Sequence, residues 1–169
     1  MERHADHTIR LHGPWQYFVI AHSALCEGAP DEQSQQHSPT GTIQLPRDWG
    51  ATLGINFRGR VRYCRSFGKP TGLNTGDRIE LVCQCVDAFG TAELNELELG
   101  NIPPGLAATR FDITQLLRPR NQLIIDVELP MAGSDQMQFH RPGREGLPGG
   151  IVGEIRLEIF TGEPHLAPI

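Results

Sequence analysis

An all-β fold, two antiparallel sheets packed as a β-sandwich, is the fold class that this sequence predicts. Three observations predict it: apolar side chains at every second position in several short runs, turn residues at intervals of about ten, and no long stretch of helical periodicity. Nineteen glycines and 13 prolines among 169 residues suit short strands joined by tight turns. The length fits one domain, and a chain of this size can bury a core without metal or disulfide staples. An up-and-down barrel is the competing architecture. Two long polar segments, 27–41 and 131–148, favour the irregular sandwich.

Taken in order, residues 1–10 read as a polar tail in which His4 and His7 are expected to fray. Residues 11–160 read as the sandwich, and 161–169 as a second tail. The first strand follows Gly13-Pro14 as Trp15-Gln16-Tyr17-Phe18-Val19-Ile20. Thr42 to Leu45 alternates and stops at Pro46. The clearest strand is Arg60 to Phe67, with Val61, Tyr63 and Phe67 on one face and Arg60, Arg62 and Ser66 on the other. Arg65 falls on the apolar side, so it sits either at the rim with its head in water or buried and paired. Asp77 to Val86 is a further strand, Thr91 to Gly100 a hairpin turning at Asn95-Glu96, and Arg110 to Leu117 a strand with a turn-like end. Arg118-Pro119-Arg120-Asn121 breaks the chain before the strand Gln122 to Leu129. Ile151 to Phe160 closes the domain, Ile155, Leu157 and Ile159 alternating with Glu154, Arg156 and Glu158.

Charge and chemistry exclude several classes. The net charge is −5, Lys69 is the only lysine, and no basic run offers a footprint for nucleic acid. The seven histidines show no H-x-x-x-H spacing, and no metal site or cofactor is expected. Cys83-Gln84-Cys85 is C-x-C rather than C-x-x-C. Cys26, Cys64, Cys83 and Cys85 read as free thiols in apolar runs, with a Cys64 pairing to Cys83 or Cys85 as the alternative, and Cys83 and Cys85 should share one strand face. No apolar run is long enough to span a bilayer and no signal peptide is visible, so a soluble cytoplasmic protein is expected. No nucleophile motif or phosphate-cradling loop is present. Glu93, Glu96 and Glu98 lie on a hairpin rather than facing across a cleft, as glycoside hydrolysis requires.

Several segments, in order, resemble the N-terminal sugar-binding domain of glycoside hydrolase family 2, the β-galactosidase, β-glucuronidase and β-mannosidase group. They are Leu11-x-Gly13-x-Trp15; Leu45-Pro46-x-Asp48-Trp49; Phe57-x-Gly59-x-Val61-x-Tyr63-x-Arg65-x-Phe67; Val86-Asp87 with Ala92-Glu93-Leu94-Asn95 and Leu99-Gly100; Phe111-Asp112-Ile113-Thr114 with Asn121-x-Leu123; and Gly149-Gly150-Ile151-x-Gly153-Glu154. The resemblance implies a galactose-binding-like jelly roll and a sugar-related context. It does not imply hydrolysis, because the family's catalytic acids sit on a following barrel that these residues do not encode. One departure is Glu96 where the family has glycine, so either the turn is longer or Asn95 alone is left-handed.

By resemblance Asp87 lies in the loop that approaches the family's active site, and it is the first candidate for a ligand hydroxyl; the alternative is a turn-forming aspartate. Trp49, in a loop, is the better stacking candidate of the two tryptophans, though family placement suggests that it packs the sandwich edge. Arg65 is expected to pair with Asp87 or Asp112, or else to offer its donors to a sugar. His140, Arg141 and Arg144 suit a pocket wall. The expected function is a non-catalytic carbohydrate-binding module for galactoside-, glucuronide- or mannoside-like ligands. A structural or protein-interaction sandwich, or the accessory subunit of a split glycosidase, is the alternative, and a homo-oligomer is compatible with either.

Overall fold

A computed structural model describes residues 4–22, 40–130 and 146–162. Their elements run β1 (His7–Arg10), β2 (Trp15–His22), β3 (Gly41–Ile43), β4 (Arg47–Asp48), α1 (Gly50–Leu53), β5 (Gly59–Gly68), β6 (Arg78–Cys83) and β7 (Val86–Asp87). There follow β8 (Phe89–Leu94), β9 (Leu97–Ile102), β10 (Thr109–Asp112), β11 (Arg120–Leu129), β12 (Gly150–Ile151) and β13 (Ile155–Phe160). A four-stranded sheet is ordered β1-β13-β6-β10 and a six-stranded sheet β3-β2-β5-β11-β8-β9; a three-stranded sheet, β4-β12-β7, completes the set. All the described pairings are antiparallel. The predicted all-β antiparallel sandwich is the fold observed.

Period-two patterning explains the layers. Val61 and Tyr63 on β5 sit opposite Val127 and Ile125 on β11, and Leu123 sits opposite Leu94 on β8. With Ile79, Leu81, Ile155, Leu157 and Ile159 from the four-stranded sheet they form one buried cluster. Each such side chain contributes roughly 1.5–3 kcal/mol by leaving water. Among the described residues no helix is long and apolar enough to cross a membrane.

The outer face of the four-stranded sheet carries a ladder of ion pairs. Arg110 Nη1 binds Glu80 at 2.8 Å and Glu158 at 2.6 Å, and Arg156 Nε binds Glu158 at 2.8 Å. Arg78 holds Glu80 and reaches Asp112 at 3.5 Å, while Arg10 binds Glu154 at 2.9 Å. On the six-stranded sheet Arg60 and Arg62 share Asp126, each at 2.8 Å, which accounts for the charged outer face predicted for β5.

Several expectations are corrected. His7–Arg10 is not a frayed tail but the edge strand β1, because its backbone pairs with β13 from His7–Ile159 to Arg10–Arg156. The expected last strand is split into β12 and β13, in two different sheets. The Asn95-Glu96 turn is neither longer nor left-handed at Asn95 alone: Leu94 pairs with Leu97, and both turn residues have positive φ, 53° and 70°. Asn95 is held there by side-chain bonds, its amide donating to the Leu116 carbonyl and to Asn121 and its oxygen accepting from Gln122 N–H. Cys64, Cys83 and Cys85 are free thiols, as first read. However, β6 ends at Cys83, which enters the core, so Cys85 lies beyond the strand. Cys26 falls outside the described residues.

Candidate functional site

The three-stranded sheet brings together Asp48, Asp87 and Gly150, with Trp49 and Gly149 directly flanking its strands. Gly150 sits between Asp48 on β4 and Asp87 on β7 in register. The chain leaves β4 in an Asx-type turn: Asp48 Oδ1 accepts the Gly50 N–H at 2.9 Å, and the Trp49 carbonyl accepts from Leu53 N–H at 2.7 Å to open α1. Trp49 N–H donates back to the Gly149 carbonyl at 2.9 Å, locking α1 to the approach of β12. Gly149 is required there, since a Cβ would lie 2.6 Å from the Trp49 ring and 2.7 Å from the Asp87 carbonyl oxygen. The Asp87–Ala88 peptide that follows is cis.

This end is packed. Trp49 and Asp87 are each 1% exposed. The Trp49 ring meets Phe57 edge-on, centroids 5.3 Å apart and planes at 90°. A sugar stacks on an open aromatic face, and this ring is spent on Phe57 and Gly149; the stacking expectation for Trp49 is therefore corrected to packing.

Arg65 is corrected as well. Its Nη1 donates to the Pro14 carbonyl at 2.8 Å rather than to Asp87 or Asp112, fastening β5 to the start of β2. Asp112 instead accepts from Thr114 N–H and Oγ1 and faces Arg78. His140, Arg141 and Arg144 fall outside the described residues. Glu96 and Glu98 are exposed and Glu93 is half-buried on β8, all on one hairpin.

The electrostatics are those of held anions. The Thr114 hydroxyl and amide hold the Asp112 carboxyl below its usual pKa, and the Thr161 amide and hydroxyl do the same for Asp6. Burial raises Glu158, but hydrogen bonds from Arg110 and Arg156 outweigh it, so the net displacement is downward. An acid catalyst requires the opposite displacement. Burial, then Tyr17, then Asp48 push the Tyr63 hydroxyl upward. Burial pushes the Cys83 thiol to about 12 and the Cys64 thiol to about 11. Among the described residues no group of His, Cys, Asp or Glu is placed to hold a metal ion.

Sequence reasoning missed two buried polar groups. Tyr63 and Trp49 are each 1% exposed, yet Tyr63 Oη and Trp49 Nε1 have no hydrogen-bond partner among the described residues. Alternation marked Tyr63 as core and so hid its hydroxyl.

No family model and no curated protein matches the chain in sequence. Solved structures do match in fold. A Bifidobacterium dentium β-glucuronidase complexed with coumarin-3-O-glucuronide aligns with 96% of this chain and 31% of its own, at TM-score 0.65 and 19% identity. A Bacteroides uniformis β-glucuronidase aligns with 92% of this chain and 18% of its own, at TM-score 0.65 and 21% identity. A β-glucuronidase from glycoside hydrolase family 2 aligns with 91% of this chain and 18% of its own, at TM-score 0.68 and 16% identity. The resemblance read from the sequence motifs thus holds for the fold. The chain spans between 18% and 31% of the length of these glycosidases.

Proposed function

We propose that the chain is a non-catalytic carbohydrate-binding module related to the sandwich domain of family 2 glycoside hydrolases, its ligand meeting the β4–β12–β7 end near Asp87. The supporting observation is the fold itself, which accounts for nearly all of this chain within less than a third of each glycosidase. His140, Arg141 and Arg144, which lie outside the described residues, remain proposed ligand contacts from the sequence. Arg65, fastened to Pro14, is left out of the site. Calorimetric titration with galactosides, glucuronides and mannosides at millimolar concentration tests the reading. Saturable heat with one class supports it, and silence across all three overturns it.

A second reading has its own observation. Because Trp49 and Asp87 are both buried within the chain, their packing also fits a structural or protein-interaction sandwich, or the accessory subunit of a split glycosidase. Stable dimers in sizing chromatography, or glycosidase turnover that appears only when a separately encoded barrel is added, favour it.

A further inference from the structure

Among the described residues the two larger sheets end in four edge strands, β1 and β10 in one and β3 and β9 in the other. An open edge presents backbone N–H and C=O groups that a second strand can pair with, and edge charges usually keep such a strand away. The four edges differ in charge. β3 carries none, β9 carries Glu98 alone, and β1 carries His7 and Arg10 without an acid. Of the four, β10 alone carries both signs, at Arg110 and Asp112. Ile113 N–H donates to the Ile79 carbonyl, in the register that also pairs Phe111 with Leu81. Hydrogen-bonding direction alternates along an antiparallel strand. Phe111 therefore turns its N–H and C=O toward β6, and Arg110 and Asp112 turn theirs to the open side. The Arg110 and Asp112 side chains, two residues apart, share the outer face and are 43% and 56% exposed. The bonds from Arg110 to Glu80 and Glu158 both leave from Nη1.

We propose that β10 is the contact of a homodimer, in which two copies of this chain pair antiparallel about Phe111 and Arg110 of each copy lies opposite Asp112 of the other. In this register the outward N–H and C=O groups of Arg110 in one copy exchange hydrogen bonds with those of Asp112 in the other. Opposite charges then face each other on both sides of the symmetry axis. A slip to the neighbouring registers that keep the same sheet face sets Arg110 against Arg110, or Asp112 against Asp112, and like charges directly opposite repel. The strand is thus self-complementary in one register. Leu106, 77% exposed in the loop that leads into β10, adds apolar surface beside the strand. A strand of four residues makes a small contact, so association is weak, with a dissociation constant between about 1 µM and 1 mM. The edge belongs to a different sheet from β4, β12 and β7, so the dimer neither requires nor excludes sugar binding at that end.

The test uses the whole chain, without any sugar, from about 10 µM to about 1 mM. Sedimentation equilibrium reads the mass, and amide hydrogen exchange followed by nitrogen-15 NMR reads the strand. A monomer–dimer equilibrium is expected, with the Arg110 and Asp112 amides exchanging several-fold more slowly at the top of the range than at the bottom. The Phe111 and Ile113 amides, bonded to β6, should be slow throughout. A monomer at every concentration overturns the proposal. So does a dimer in which Arg110 and Asp112 exchange does not change with concentration, since the contact then lies elsewhere. Slow exchange of both at every concentration overturns it too, because the edge is then already covered. Asp112→Asn keeps an oxygen to accept from Thr114 and removes the charge that faces Arg110 of the other copy. It should weaken dimerisation by about 2- to 30-fold at low salt, the range for two exposed ion pairs, and an unchanged constant overturns the charge-matched register.

Discussion

Replacing Arg110 with methionine keeps an unbranched apolar stem on edge strand β10 and removes the one charge that bridges Glu80 and Glu158. Those two carboxylates are directly opposite each other on β6 and β13, with side chains only 7% and 9% exposed. Like charges about 5 Å apart repel by roughly 3 kcal/mol at an effective dielectric of about 20. Breaking a fully buried pair costs about 3–5 kcal/mol. Arg110 is itself 43% exposed, and Arg78 and Arg156 remain in place, so solvent screening lowers the expected loss to about 1.5–3 kcal/mol. Urea unfolding at neutral pH should show this as a midpoint about 1 M lower with an unchanged slope. The pH dependence carries a sign. Glu158 is held below the ordinary carboxylate pKa, so its contribution is complete above about pH 4.3 and is lost as pH falls through its lower folded value. The wild-type and Arg110→Met stabilities should therefore converge in acid. A loss at neutral pH of less than about 0.5 kcal/mol, the level of an exposed pair, refutes the bridging role, as does a difference unchanged at about pH 3.

Glu96→Gly should stabilise the hairpin by about 0.5–1 kcal/mol in the same unfolding assay, since Glu96 holds φ at 70° and, among the described residues, has no side-chain anchor of the kind that keeps Asn95 there. Gly149→Ala should destabilise by about 1–3 kcal/mol and shift tryptophan fluorescence, because the new methyl meets the Trp49 ring at 2.6 Å. The Cys64 and Cys83 thiols, pushed to about 11 and about 12, should react with a disulfide reagent at pH 8 at least about 100-fold more slowly in the folded chain than in urea. Labelling of Cys64 and Cys83 at equal rates in both states would count against the burial described here.

Legibility in the sequence followed the range of the interactions. Strand β5 could be read because alternation is a local signal: Val61 and Tyr63 face the core and Arg60 and Arg62 face Asp126 as period two requires. Strand β1 could not, since His7–Arg10 is exposed along its whole length and is a strand only by virtue of its pairing with β13. The partner of Arg65 was misassigned for the same reason. Its position marked it as a residue needing an acceptor, but a backbone carbonyl such as that of Pro14 leaves no trace in sequence, whereas Asp87 and Asp112 do. At the candidate site, the segments around Asp48-Trp49, Val86-Asp87 and Gly149-Gly150 were each visible, and their meeting in one sheet was not. That meeting depends on strands of two residues each, too short for any periodicity.

The same short strands bear on how far a shared fold carries function. Gly149 is needed because the Trp49 ring occupies the space its side chain would fill, and Trp49 is placed by the turn that Asp48 begins. These residues therefore support one another as packing, and a sandwich that kept only its architecture would still retain them. Packing alone, however, gives no reason for the Tyr63 hydroxyl to be buried without a partner among the described residues, since phenylalanine there would keep the ring at lower cost. The distinction between a scaffold and a binding module thus turns on whether this end takes up a ligand, which the titration with galactosides, glucuronides and mannosides decides.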